Sequence, residues 1–154
     1  MELADFLTED AIVPCAKATC KRQLLQQAAD KAAELVGGDA HEIFKTLTER
    51  EQLGTTGLGE GIAIPHGKIE GLSGVSCVFM RLDNPIDFDA VDEQPVDLAF
   101  VLLAPKGAGA DHLKALSRVA RLVRSDGFAE RVRNLDNPKE LYQALTTDRS
   151  KTAA

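Results

Sequence analysis

Apolar residues recur along this chain with two periods, and the switches between them mark its elements. Leu24, Leu25, Ala28, Ala29, Ala32, Leu35 and Val36 fall on one helical face. Thr19 stands where such a helix would be capped, and Gly37-Gly38 where it would stop. A second helix is predicted from Asp39, with Glu42 completing a capping box. Its buried face is Ile43, Phe44 and Leu47, and Gly54 ends it. Ile62-Ala63-Ile64 reads as a short buried strand. Pro65 must stop it or confine it to an edge, because proline donates nothing to a ladder. Residues 75–82 read as a strand, and 96–103 as a more continuously apolar one of the kind covered on both faces. Asp83-Asn84-Pro85 and Asp92-Glu93-Gln94-Pro95 are turn signals between them. After a loop over 105–110, Asp111 is predicted to open a helix with Leu113, Leu116, Val119, Ala120 and Val123 facing inward. A short amphipathic helix follows over 127–135. Asn137-Pro138-Lys139-Glu140 then caps and opens a last helix through Leu145. At the start, residues 3–6 form a turn and 11–13 a short strand before Pro14; residues 146–154 read as a frayed tail.

The bulk numbers change this picture little. With 154 residues the expectation is one α/β domain over 1–154, large enough for its own core. Apolar content of 44% and charged content of 27% are those of an ordinary globular protein. The balance of 18 basic against 24 acidic residues, net −6, argues against nucleic acid or an anionic membrane surface as partner. No apolar run reaches the roughly 18 residues of a membrane span. The N-terminus is acidic and lacks the basic region of a signal peptide. Cys15, Cys20 and Cys77 are therefore expected as reduced thiols in a cytoplasm, with Cys77 in the core.

Candidate chemistry gathers in residues 57–68. Alternating glycines at 57, 59 and 61 permit tight turns and close backbone approach. The short strand follows, then Pro65, and His66 comes at the strand end with Gly67 and Lys68 behind it. An imidazole beside bare N–H groups and a lysine suits a group that meets phosphate; from residue types alone an idle loop histidine is an equal reading. Better-known patterns fail here. Ile62 stands where a Walker loop and a dinucleotide fingerprint each need glycine, and Ile69 replaces the Ser or Thr after the Walker lysine. Val75 breaks a nucleophile elbow begun at Gly71, and Lys45 occupies the second ligand position of a zincin begun at His41. Arg50, near the end of its helix, suits the dipole as a plain surface cation. His112, in a helix first turn and in line with the apolar face, can donate to an anion or be a packed histidine satisfied by backbone.

Taken together, Thr48-Glu49-Arg50-Glu51, the run from Thr56 to Lys68, Pro85-Ile86-Asp87-Phe88, Gln94-Pro95-Val96-Asp97 and His112-Leu113 with Leu116-Ser117 resemble one family. It is the enzyme IIA component of the bacterial sugar phosphotransferase system, mannitol/fructose class, and within that class the nitrogen-regulatory type. Ala63-Ile64-Pro65-His66-Gly67 is the most specific match, and the likeness spans residues 7–145. The resemblance implies a mixed β-sheet with helices on both faces. It implies that His66 is the phosphorylated histidine, that His112 supports the phosphoryl group, and that Arg50 lies near the site. It implies a cytoplasmic protein taking phosphate from a small histidine phosphocarrier protein. Gly67 and Lys68 N–H groups would help to hold the phosphate, with no metal and no cofactor, because the donor already carries an activated phosphoryl group. Two functional readings follow from the likeness: a regulatory phosphoprotein whose state controls partner proteins, or a sugar-type IIA relaying phosphate to a IIB component. A third, a metal-binding or structural module built on His66 and His112, lacks an evident third ligand.

Overall fold

The computed structural model describes residues 1–147, so most of the expected frayed tail lies outside the described residues. The elements, in chain order, are β1 (Ile12–Ala16), α1 (Lys21–Val36), α2 (Ala40–Leu53), β2 (Gly57–Gly59), β3 (Ile62–Ala63) and β4 (His66–Ile69). Then come β5 (Ser76–Ile86), β6 (Val96–Pro105), α3 (Gly109–Val123), α4 (Phe128–Arg133) and α5 (Pro138–Thr146). Two short 3-10 turns, Leu3–Asp5 and Glu9–Ala11, precede β1.

The sheet is mixed, ordered β1-β5-β6-β3-β2, with β4 also paired to β6. β1 runs parallel to β5, β5 antiparallel to β6, and both β3 and β4 parallel to β6. β3 and β4 therefore lie end to end along one edge of β6. Ile62 and Ala63 pair with Leu98 and Ala99, and His66 to Ile69 pair with Leu102 to Pro105. The break falls at Ile64-Pro65, where the expected stop lies. Pro65 has no N–H to give, although its carbonyl still accepts from Leu102 N–H at 2.9 Å.

Helices cover both faces, as the alternation of patterns predicts. Leu24, Leu25, Ala28, Ala29, Ile43 and Leu47 of α1 and α2 pack on Val78, Met80, Ala99, Val101 and Leu103. The opposite face carries Phe79, Leu98, Phe100 and Leu102 against Val119, Phe128, Val132 and Leu141 of α3, α4 and α5. The Phe79, Phe100 and Phe128 rings stack in sequence at 4.9 and 6.1 Å between centroids. Fully burying each such side chain contributes roughly 1.5–3 kcal/mol. Every residue from Leu98 to Ala104 is buried, which is why β6 shows no polar alternation.

Several boundaries differ from expectation. Cys20, not Thr19, takes the N-cap position of α1; the Thr19 N–H and hydroxyl both turn to the Gln23 side chain, at 2.8 and 2.7 Å. Asp39 caps α2 as expected, accepting from His41 N–H at 2.9 Å. β1 continues through Pro14, which an edge strand tolerates. β5 does not turn at Asp83-Asn84-Pro85 but runs on to Ile86, with an irregular register after Arg81. α3 begins at Gly109, before Asp111, and its inward residues are His112, Ala115, Val119 and Leu122. Leu113 is accordingly not a core residue; it is 68% exposed. Asn137 caps α5 with Pro138 in its first turn.

Candidate active site

His66 opens β4 on the sheet edge, reached by the C-terminal end of α2 and by the N-terminal end of α3. It starts the new segment rather than ending the old one. Its ring is held through both nitrogens. Nδ1–H donates to the Ile64 carbonyl at 2.9 Å, and an oxygen that can only accept leaves Nδ1 as the protonated nitrogen. Nε2 then keeps its lone pair, and the Arg50 Nε–H donates to it at 3.3 Å. Burial, together with the Arg50 charge, holds the His66 pKa below its ordinary value; the Ile64 carbonyl and Glu51 oppose that shift without reversing it. The ring is therefore neutral at pH 7, with its nucleophilic nitrogen directed away from the main chain.

Arg50 sits in the last turn of α2. Its Nη1 donates to the Gly54 carbonyl at 2.9 Å, satisfying the helix end, while Nε faces His66. The helix-end role and the place near the site thus coexist in one side chain. His112 stands in the first turn of α3, and its ring meets that of His66 edge-on, with centroids 5.4 Å apart and planes at 69°. It is only 6% exposed, and its Nε2 is buried with no hydrogen-bond partner. Burial first, then His66 and Lys68, lower its pKa. The orphaned nitrogen beside the His66 ring is one donor or acceptor short of satisfaction.

Lys68 lies two residues on from His66 in β4, and is exposed. Gly67 lies between them and lets α2 come close, since a Cβ there would fall within 2.7 Å of Thr46 Cγ2. The register that pairs His66 with Leu102 turns the Gly67 N–H towards β6 and the Lys68 N–H towards the open edge. Of the two expected backbone donors, the Lys68 N–H is the one that can reach a ligand. His66, His112, Arg50, Gly67 and Lys68 all line one open cleft of about 690 Å³, with Thr46 and the 85%-exposed Leu53 on its wall. Among the described residues no cluster of His, Cys, Asp and Glu is arranged to hold a metal.

The glycine-rich hairpin is anchored separately. Gly61 has φ of 82°, and a Cβ would collide with the Arg133 guanidinium. Arg133 grips Asp97 with Nε and Nη2 at 2.9–3.1 Å and donates to the Glu60 carbonyl at 2.7 Å. Asp92 accepts from the Glu60 N–H at 2.9 Å. Glu51 has a place in the motif around Arg50 but no role that residue types assign to it. It is buried in the structure, and its continuation of the helical spacing of Ile43 and Leu47 is the signal for that.

Comparisons with known proteins give the chain its family and its fold. The family model described as phosphoenolpyruvate-dependent sugar phosphotransferase system, EIIA 2, matches residues 5–147. A nitrogen regulatory protein of Bradyrhizobium diazoefficiens is 50% identical over 145 residues, covering 94% of this chain and 95% of that protein. The crystal structure of nitrogen regulatory protein IIA-Ntr from Neisseria meningitidis superposes with a TM-score of 0.88 at 33% identity, covering 94% of this chain and 99% of that one. The mannitol IIA of Escherichia coli shares the fold, with a TM-score of 0.75 at 21% identity over 90% of this chain and 97% of its own.

Proposed function

Because the chain belongs to the EIIA 2 family of the phosphoenolpyruvate-dependent sugar phosphotransferase system, we propose that it accepts a phosphoryl group on His66 Nε2 from a small histidine phosphocarrier protein and acts as a regulatory phosphoprotein in the cytoplasm. The observation that carries this reading is the tautomer. Nδ1–H is tied to the Ile64 carbonyl, so the lone pair is on Nε2, in a cleft shared with Arg50, His112 and Lys68; the long 3.3 Å bond that it accepts from Arg50 gives way as the phosphoryl group arrives.

The step needs no general base. The Nε2 lone pair forms a new N–P bond as the donor N–P bond breaks, and the electron pair returns to the donor imidazole. Positive charge develops on the His66 ring, where the Ile64 carbonyl already points at Nδ1–H. The phosphoryl oxygens take bonds from Arg50, from the Lys68 ammonium and N–H, and from the orphaned His112 Nε2 acting as donor. Such donors, set in place before the reaction, are the main source of stabilisation for phosphoryl transfer.

Regulation follows from charge. Phosphorylation adds about −1.5 to −2 charges to one face, on a protein that already carries −6. A partner docked over the cleft while the protein is unphosphorylated would have to desolvate that charge. The names of the relatives point the same way, to nitrogen regulation. Incubation with phosphorylated carrier should give an acid-labile, base-stable adduct mapped to His66 by mass spectrometry. Equal labelling of His66→Ala would overturn the acceptor assignment. Pull-downs with native, phosphorylated, His66→Ala and His66→Asp protein should return different partner sets; identical sets, or efficient delivery to a sugar-specific IIB, would favour the relay instead.

A further inference from the structure

The last turn of α2 carries one group that phosphoryl transfer does not touch and apolar packing does not explain. Glu51 is 8% exposed. A carboxylate so buried must be paired and hydrogen-bonded. Lys21 Nζ supplies the charge at 3.0 Å, and is itself placed over the Phe88 ring at 4.4 Å. Among the described residues, the other bonds to the Glu51 carboxylate come from Thr56. Thr56 N–H faces both carboxylate oxygens, at 3.1 and 3.2 Å, and the Thr56 hydroxyl donates to Oε1. The Thr56 carbonyl accepts from Ile64 N–H at 3.0 Å. The Ile64 carbonyl accepts from His66 Nδ1–H at 2.9 Å.

We infer that Glu51 is a positioning residue for His66: by clamping Thr56 it fixes the Ile64 carbonyl that keeps the imidazole in its Nδ1–H tautomer. The inference rests on the proposed role of His66 and deepens it. The coupling through the bonds is mechanical, and is separate from the through-space pull of the Glu51 charge on the His66 proton, which Glu51→Gln removes while keeping the clamp. The N–H and C=O of Thr56 belong to different peptide units, as do those of Ile64, so no continuous amide polarisation runs along the chain of bonds. What passes along it is place. The segment between the anchors holds Gly57, Gly59 and Gly61, two of them at positive φ; β6 and Arg133 hold its far side, and Glu51 holds the Thr56 end against Ile64. With the clamp removed, the Ile64 carbonyl moves relative to the ring. The Nε2–H tautomer, which presents no lone pair to the cleft, then gains population. A displacement of about 1 Å at a reacting group costs on the order of 10²-fold in rate.

Side-chain 15N NMR of the unphosphorylated protein reads the tautomer with no donor present, and phosphoramidate reads the reactivity with no partner protein. Glu51→Ala should raise the Nε2–H fraction of His66 and slow its phosphorylation by phosphoramidate roughly 10- to 100-fold. Glu51→Gln keeps an oxygen that accepts from Thr56 and should restore most of both. Lys21→Gln removes the ion pair but leaves the clamp, and should keep the native tautomer. If Glu51→Ala does not fold, Glu51→Asp, which keeps the charge and shortens the reach, gives the same two readings. Native tautomer populations in folded Glu51→Ala or Glu51→Asp overturn the proposal, as does an equal shift in Lys21→Gln. A tautomer that responds to Glu51 in a protein whose His66 never accepts phosphate supports the positioning role and removes the phosphoryl reading.

Discussion

Arg133 and Arg50 each support a glycine-bearing segment of the same sheet edge, yet they are satisfied to different degrees. Arg133 meets the Asp97 carboxylate with two nitrogens and gives a further bond to the Glu60 carbonyl. Its charge is answered and its donors are directed at fixed oxygens. Arg50 has no carboxylate within ion-pair distance among the described residues; it gives one bond to the Gly54 carbonyl and a longer one to a neutral imidazole. The charge-paired guanidinium holds a turn. The unpaired one keeps donor capacity and net charge at the cleft, which is what the proposed phosphoryl group would need. The same difference separates the polar groups around them, since His112 Nε2 is orphaned in the cleft while Asp92 and Asp97 are bonded at the hairpin.

The sharpest way to break this comparison is to exchange consequences. Arg50→Met should slow phosphoryl transfer to His66 by about 10²- to 10³-fold, the usual loss for one stabilising donor. Its unfolding free energy should fall by only about 1 kcal/mol, since a helix-end bond and a long 3.3 Å bond to a neutral ring are lost. Single-turnover rates and urea titration measure both. A large loss of stability with unchanged transfer would make Arg50 a second Arg133. Arg133→Met should show the reverse pattern. It leaves Asp97 with an unpaired, partly buried charge and should cost about 2 kcal/mol by urea denaturation, with transfer within a few-fold of native.

Gly67→Ala tests the packing side of the cleft. Contact with Thr46 should cost roughly 1–3 kcal/mol, and Thr46→Ala in the same chain should recover most of it. Additive losses in the double variant would show that the close approach of α2 to β4 is not what requires glycine.

The smallest effect is on pH dependence. His66 and His112 both have folded-state pKa values below the usual histidine value, with burial as the main cause. Between those lowered values and about 6.5 the unfolded chain binds more protons. The stability from keeping both rings neutral is thus fully present above pH 6.5 and is lost as pH falls through the folded pKa values. His66→Gln and His112→Gln should each flatten the stability profile below pH 6.5; a profile unchanged by either would show that neither ring resists protonation.

Much of this site is visible in residue types because local chemistry sets it. Pro65 breaks the edge strand for want of an N–H, and Asn137 and Asp39 cap their helices through their own side chains. What is not visible depends on partners distant in sequence. Leu113 fits a helical stripe with Leu116 and Val119, but α3 is rotated so that His112 and Ala115 face inward and Leu113 meets solvent. Thr19 fits a cap, but its hydroxyl prefers the Gln23 carboxamide. The run 83–85 reads as a turn, yet β6 offers Val96 to pair with Ile86 and draws the strand onward. Glu51 on an apolar stripe announces a buried carboxylate; that its bonds end on Thr56 is a tertiary fact.

One row across the sheet has a practical consequence. Cys77 pairs with Leu102, and Leu102 pairs with His66. The thiol is 1% exposed and burial pushes its pKa up, whereas Cys15 and Cys20 are exposed. A thiol in that state reacts only when the strands around it separate. The molecule therefore carries an internal clock one strand away from the His66 imidazole. Two cysteines are modified promptly by an alkylating reagent, and the slow modification of the third times how often the strands beside His66 come apart.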